Sequence, residues 1–213
     1  MTGSPQASAE RRLGGGLGLR EALLEFLSPE PRVLVHGRTL YLRSPRASDY
    51  KAWAGIRSLS KNHLEPWEPV WAEDALTRAA FRRRLAAQNA EARAETGLGL
   101  FIFGRGDQRL IGGVTVGNVR RGVVQSASLG YWIGAPYVGR GAMTDALQAL
   151  LPFLFDRFGL HRVEAACMPE NAASRRVLEK AGFAYEGRAR AYRKIAGQWR
   201  DHLLFAKLAQ DPR

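Results

Sequence analysis

Between Gly130 and Ala149 the chain reads GYWIGAPYVGRGAMTDALQA. An apolar strand pattern ends at Ile133, glycines stand at positions 134, 139 and 141, and a helical pattern begins at once. Glycines let a backbone approach a ligand closely, and the first amides of a helix have no carbonyl partner within it. Strand, loop and helix start therefore form a cradle that suits a pyrophosphate. A plain strand-to-helix turn would use the same glycines, so the loop alone leaves both readings open. Two familiar phosphate loops fail on detail. A Walker loop needs Gly-Lys followed by Ser or Thr, and no lysine lies between Lys61 and Lys180. A dinucleotide fingerprint needs a third glycine where Thr144 stands.

Around this segment the pattern alternates between helix and strand. Arg38 to Arg43 alternates polar and apolar residues, as a half-buried strand does. Ser48-Asp49 offers an N-cap for a helix with Tyr50, Trp53 and Ile56 on one face. Asn62 to Pro69 (NHLEPWEP) holds two prolines and reads as an ordered turn or loop, before a helix from about Asp74 to Ala94. That helix turns Leu76, Ala80 and Leu85 inward and Arg82, Arg83 and Arg84 outward. Strands follow at Leu98 to Phe103, Leu110 to Val119 and Gln125 to Ile133. Next come a long helix, Gly141 to Phe158, a strand, His161 to Met168, and a helix, Ala172 to Lys180, with Gly182 as its C′ glycine. Two last strands, Tyr185 to Lys194 and Gln198 to Lys207, flank an Ile195-Ala196-Gly197 turn. This is an α+β chain with a mixed sheet. Residues 1–32 are expected to form a flexible arm, with a short helix over Leu19 to Leu27, and residues 33–213 a single domain.

Composition narrows the setting. The 213 residues, 46% hydrophobic and 24% charged, exclude wholesale disorder. Cys167 is the single cysteine, so an internal disulfide is excluded, and with four scattered histidines it gives no metal-ligand spacing. It reads as a small buried hydrophobe. No segment approaches the roughly 18 apolar residues of a membrane span, and the first residues lack a signal-peptide core. A cytoplasmic protein is expected, without membrane or direct DNA contact. The net charge of +12 favours anionic partners, but 27 arginines against five lysines are spread along the whole chain.

The run from Gly130 to Gly187 resembles motifs of the GNAT acetyltransferase superfamily, and within it the Rim branch, which acetylates N-terminal residues of ribosomal proteins. The residues that carry the likeness are Gly130-Tyr131-Trp132-Ile133-Gly134, Gly139-Arg140-Gly141, Leu160 to Ala165, Pro169 to Ser174 and Val177 to Phe183. Trp199 to Phe205, Leu40 to Arg43 and Leu64 to Pro69 extend it, the last looking most like the RimJ group. The likeness spans residues 36–208. Val138 and Met143 stand where the superfamily loop often carries Gln or Arg and Gly or Ala.

That resemblance implies a GNAT fold, with a central, mostly antiparallel sheet splayed between two parallel strands and flanked by helices. It also implies acetyl-CoA as cosubstrate and a primary amine as acceptor. Trp132 and Ile133 would pair with the pantetheine chain. Amides of Val138, Gly139, Arg140, Gly141, Ala142, Met143 and Thr144 would hold the pyrophosphate. Asn171 would contact the cofactor, and Ser174 would protonate the leaving thiolate. As alternatives, Asn171 is a good N-cap and Ser174 can simply face solvent. Glu68, beside Trp67 on the acceptor side, is a candidate to steer or deprotonate the amine, or else a surface charge next to a packed anchor. Tyr192 and Glu186 are weaker candidates for the base, His161 and His202 read as ordinary strand residues, and Trp199 reads as packing. An α-amine, with a pKa near 8 against about 10.4 for lysine, needs less help from a site without an obvious base. The expected acceptor is a protein N-terminus, that of a ribosomal protein. Two other readings stay open: a small-molecule amine as acceptor, and a non-catalytic ribosome- or RNA-binding protein using Arg82 to Arg84 and Arg120-Arg121.

Overall fold

The computed structural model describes residues 35–212. The expected arm and its Leu19–Leu27 helix lie outside the described residues. Eight strands form one sheet: β1 (Val35–His36), β2 (Leu40–Arg43), β3 (Leu98–Gly104), β4 (Leu110–Arg120), β5 (Ser126–Ile133), β6 (Arg162–Cys167), β7 (Ala184–Ile195) and β8 (Gln198–Leu208). Their spatial order is β1-β2-β3-β4-β5-β6-β8-β7. Among the described residues only β5 and β6 pair in parallel; the other neighbours run antiparallel. The helices are α1 (Tyr50–Leu59), α2 (Lys61–Leu64), α3 (Arg78–Arg93), α4 (Ala142–Pro152) and α5 (Ala172–Lys180).

Strand β3 shows why the sheet is covered on both faces. Every residue from Leu98 to Phe103 is buried, and alternate side chains leave a strand on opposite sides. Leu98, Leu100 and Ile102 join the core that includes Leu147, Leu150 and Leu154. Phe101 and Phe103 join a second core with Trp53 of α1 and Phe81 of α3. There the rings of Trp53 and Phe81 lie 4.9 Å apart. A strand buried on both faces reads as a continuous apolar run, which LGLFIF is.

Several elements differ from the sequence expectation. Asp49 does not cap α1. Its carboxylate takes both terminal nitrogens of Arg43, at 2.8 and 2.7 Å, and the Arg46 amide at 2.8 Å. The Asn62 to Pro69 segment, expected as an ordered turn or loop, is mostly helical: α2 runs into a 3-10 turn, Glu65–Trp67, and only Glu68 and Pro69 lie beyond it. Pro66 is tolerated at that helix start, where its missing N–H has no partner to lose. Helix α3 starts at Arg78, because Thr77 Oγ1 accepts the Ala80 amide at 3.2 Å. Its largest buried side chain is Phe81, while Arg82, Arg83 and Arg84 are exposed as expected. The long helix after Gly141 breaks at Pro152, which has no N–H to give the carbonyl one turn back. A wider π turn, Phe153–Arg157, takes over, and the Phe158 amide reaches the Phe153 carbonyl at 2.8 Å. Finally, α5 ends as expected. Gly182, at φ 82, donates to Glu179, and Phe183 donates to Leu178, both at 3.0 Å.

Candidate active site

Strands β5 and β6 part company halfway along. Their parallel pairing runs from Ser126 opposite Arg162 to Leu129 opposite Ala165. Beyond that point β5 stays with β4 as far as Ile133 opposite Gly112, and β6 stays with β8 as far as Cys167 opposite Leu203. Gly130 to Ile133 therefore turn one backbone edge toward a gap. Such an edge offers N–H and C=O groups to an extended, amide-bearing ligand, as an added strand would use them.

The gap opens into a cleft of about 600 Å³, within the usual size for a small-molecule site. Of the catalytic, cofactor and acceptor residues expected at the site, all line it except Arg140, which is exposed. Gly139 and Gly141 sit at φ 76 and 75, and a Cβ at either would meet nothing within 4 Å. Their requirement is thus conformational rather than steric. The first backbone bond of α4 runs from the Asp145 amide to the Gly141 carbonyl, 3.0 Å. The amides of Ala142, Met143 and Thr144 come before it and are the natural anion donors. Met143 buries its side chain in the core, so its departure from the superfamily pattern leaves the amide in place. The Val138 amide is turned back to the Ala135 carbonyl at 3.4 Å.

Two residues that the sequence did not single out hold this loop. Ser60, buried at the end of α1, accepts the Ala135 amide at 2.8 Å. Asp145, also buried, accepts from the Arg38 amide, the Thr39 amide and the Thr39 hydroxyl at 3.0, 3.1 and 3.1 Å. These bonds tie the start of α4 to the β1–β2 turn.

On the opposite wall, Asn171 does cap α5: its Oδ1 accepts the Ser174 amide at 3.0 Å. Ser174 Oγ lies 2.8 Å from the hydroxyl of Tyr131, a cleft residue that sequence reasoning did not assign. Burial pushes the Tyr131 phenol well above its ordinary range, against the opposing pull of the Ser174 bond. Cys167 is buried as expected, and burial raises its thiol while a hydrogen bond with Ser174 pulls the other way. Arg176 and Lys180 of α5 also line the cleft. They add two cations that the loop motif gave no reason to expect.

A further wall of the cleft comes from α2 and the turn after it. Trp67 is half-buried there, and Glu68 is bound on three sides. Arg57 donates to its two oxygens at 2.7 and 2.6 Å, and Trp71 Nε1 donates at 2.7 Å. The Arg57 guanidinium in turn lies over the rings of Trp71 and Trp132, at 4.3 and 5.1 Å. The β7–β8 turn closes against this segment, the Ala196 amide donating to the Glu68 carbonyl at 2.9 Å.

Other candidates stand elsewhere. Glu186 is held low by its hydrogen bonds from Arg162 and is exposed. Tyr192 packs its ring against His202, 5.6 Å between centroids. His161 lies in a bend just before β6, whereas His202 is a buried residue of β8. Trp199 is not packing: at 65% exposure it projects from the β7–β8 hairpin, whose register slips between Ala189 and Arg193. Arg121, offered above as part of a basic surface, spends one nitrogen on the Phe158 carbonyl at 2.7 Å. Among the described residues no group of three or more His, Cys, Asp or Glu side chains is placed to hold a metal. No described helix is long and apolar enough to cross a membrane.

A strand edge for an amide chain, beside a helix start for a pyrophosphate, defines the cleft of an acyltransferase that uses a coenzyme A thioester. The chain belongs to the GNAT acetyltransferase family: residues 39–184 match the acetyltransferase (GNAT) domain. A probable N-acetyltransferase of Bacillus subtilis, YjcK, is 35% identical over 178 residues, covering 84% of this chain and 98% of that protein. The [ribosomal protein uS5]-alanine N-acetyltransferase of Escherichia coli is 34% identical over 186 residues, covering 87% and 96%. Among solved structures, Mycobacterium smegmatis RimJ in complex with CoA-disulfide superposes with a TM-score of 0.77 at 38% identity, covering 85% of this chain and 87% of that one.

Proposed function

We propose that this protein moves the acetyl group of acetyl-CoA to the N-terminal α-amine of a ribosomal protein, by direct attack of the amine. The observation that carries the reading is the cleft itself, assembled in a chain 34% identical, over 87% of its own length and 96% of the relative's, to an enzyme named for the alanine of uS5. Amides of Ala142, Met143 and Thr144 would hold the pyrophosphate, and the free edge of Gly130 to Ile133 the pantetheine chain. Asn171 supports Ser174 by capping the helix that carries it, and Ser174 gives a proton to the departing sulfur. Trp67 and Glu68 bound the acceptor. Glu68 has its carboxylate committed to Arg57 and Trp71, which suits a wall that orients an amine better than a base that abstracts its proton. An α-amine, neutral in a useful fraction near pH 8, needs less help from a base than a lysine amine does, and is the favoured acceptor. A ribosomal client suits a cytoplasmic enzyme.

The test is thiol release from acetyl-CoA with peptides that begin with alanine, against the same peptides with a blocked N-terminus and an internal lysine. Release with the free α-amine only is expected. In cells, intact masses of ribosomal proteins with and without the gene should differ by one acetyl group on a single protein. Identical masses would defeat the ribosomal acceptor, and no release with any amine would defeat the enzyme reading.

A further inference from the structure

The Tyr131–Ser174 pair carries an inference that rests on the reading of Ser174 as the proton donor. The two hydroxyl oxygens are 2.8 Å apart, and the Tyr131 oxygen is also 3.3 Å from the backbone carbonyl of Ser174. Good O–H···O bonds fall at about 2.5–3.0 Å, so the longer contact is a poor alternative for the phenol proton. That carbonyl also lies within the α5 ladder, where it already accepts the amide four residues on. Phenol is the stronger acid of the two hydroxyls, with a reference pKa near 10. Tyr131 is therefore the donor in the short bond and Ser174 Oγ the acceptor.

A serine hydroxyl has one proton and two lone pairs. With one lone pair filled by Tyr131, the oxygen keeps a proton and one lone pair for chemistry. Ser174 lines the cleft, and a thiolate leaving there would be a strong acceptor for that proton, because charge-assisted bonds are about twice as strong as neutral ones. Tyr131 is held for this task. It is fixed on β5, the strand whose free edge borders the gap, and its phenol is kept neutral by burial.

We propose that Tyr131 is a positioning residue for Ser174: its donated hydrogen bond fixes the serine oxygen so that the serine proton is presented to the leaving sulfur. The protons balance without any change at Tyr131. As the C–N bond forms and the C–S bond breaks, the attacking nitrogen loses one proton and the sulfur gains one. Ser174 hands its proton to sulfur and is reprotonated by the one that nitrogen releases, directly or through water.

The experiment is a double-mutant cycle of Tyr131→Phe and Ser174→Ala, with kcat, the KM for acetyl-CoA and the thermal midpoint measured for each. The phenylalanine keeps the ring in place and removes only the hydroxyl. Each single variant is expected to lower kcat on the order of 10-fold or more, with the KM for acetyl-CoA within about twofold of wild type, the size expected for part of a general-acid contribution. The double variant should be no slower than Ser174→Ala alone. If Tyr131→Phe slows the Ser174→Ala enzyme further, Tyr131 does not act through Ser174 and the proposal is overturned. A lowered kcat for Ser174→Ala with an unchanged kcat for Tyr131→Phe overturns it too, while leaving Ser174 as the acid. An unchanged kcat for Ser174→Ala removes the acid reading, and the positioning role with it. A lost thermal midpoint accompanied by a raised KM for Tyr131→Phe would mark a packing role and also count against the proposal.

Discussion

Arg57 grips Glu68 through both of its terminal nitrogens, at 2.7 and 2.6 Å, and the two side chains are only 11% and 22% exposed. Removing one partner of such a pair costs more than the pair contributes, because the other charge is left half-buried. Glu68→Gln keeps the shape and the Trp71 acceptor but halves what Arg57 can hold. A loss of about 1–3 kcal/mol in unfolding free energy is expected by denaturant titration. On the proposal that Trp67 and Glu68 bound the acceptor, the KM for the acceptor peptide should rise several-fold while kcat changes little. A fall in kcat on the order of 10²-fold with unchanged KM would instead make Glu68 the general base.

Gly141, at φ 75, gives α4 its N-cap residue in the left-handed region, with open space where a Cβ would stand. The penalty for an L side chain there is then backbone strain alone, about 1–2 kcal/mol. Asparagine visits that region more readily than alanine. Gly141→Ala should therefore weaken CoA binding, measured by calorimetry, by roughly 5-fold or more if the strain is relieved by moving the loop. Gly141→Asn should lie between alanine and wild type. Equal binding by all three would show that the amides of Ala142 to Thr144 do not depend on this conformation.

What was legible in the sequence was local. Gly139, Gly141 and the cap residue Asn171 announce themselves through spacing, because glycine conformation and helix capping are decided within a few residues. The two-faced burial of β3 was also readable, since LGLFIF has no polar face to turn outward. The contacts that fix the site were not. Asp145 meets Thr39 across 106 positions and Tyr131 meets Ser174 across 43, and nothing in either neighbourhood names the partner. Asp145 in a first helical turn reads as a charge facing the helix dipole, not as a buried anchor. Trp199 misled for a related reason. A lone aromatic in a strand pattern is expected inside, and the slip in the β7–β8 register that accompanies its exposure leaves no sequence signature.

Burial on β8 sets an acid limit through His202. Its pKa is lowered chiefly by burial, with the Arg200 carbonyl working in the opposite direction and Arg193 adding to the lowering. Since the folded pKa lies below the unfolded one, the stabilisation it reports is complete above the ordinary histidine value near 6.5. It is lost as the pH falls through that value toward the folded pKa, because the unfolded chain takes up the proton first. Urea midpoints measured between pH 8 and 5 should therefore fall more steeply for wild type than for His202→Gln. Parallel curves would mean that His202 is protonated as easily folded as unfolded.

Arg176 and Lys180 stand one turn apart on α5 and both line the cleft. Spacing of four residues puts them on one face of the helix. They are exposed side chains, so their attraction for an anion is screened by salt within about 10 Å at 0.1 M. Pairing such as this is worth little per contact, on the order of 0.2–1 kcal/mol. The Arg176→Ala, Lys180→Ala double variant should consequently raise the KM for acetyl-CoA by about 2- to 10-fold at low salt, with kcat unchanged. Raising the ionic strength should erase the difference between variant and wild type, because wild type loses the contribution that the variant already lacks. Arg140, which lies outside the cleft lining, provides the control: Arg140→Ala should leave both the KM and its salt dependence near those of wild type. If Arg140→Ala instead gives the larger and more salt-sensitive effect, the anion is held from the loop side, and the α5 cations serve only the solvated surface.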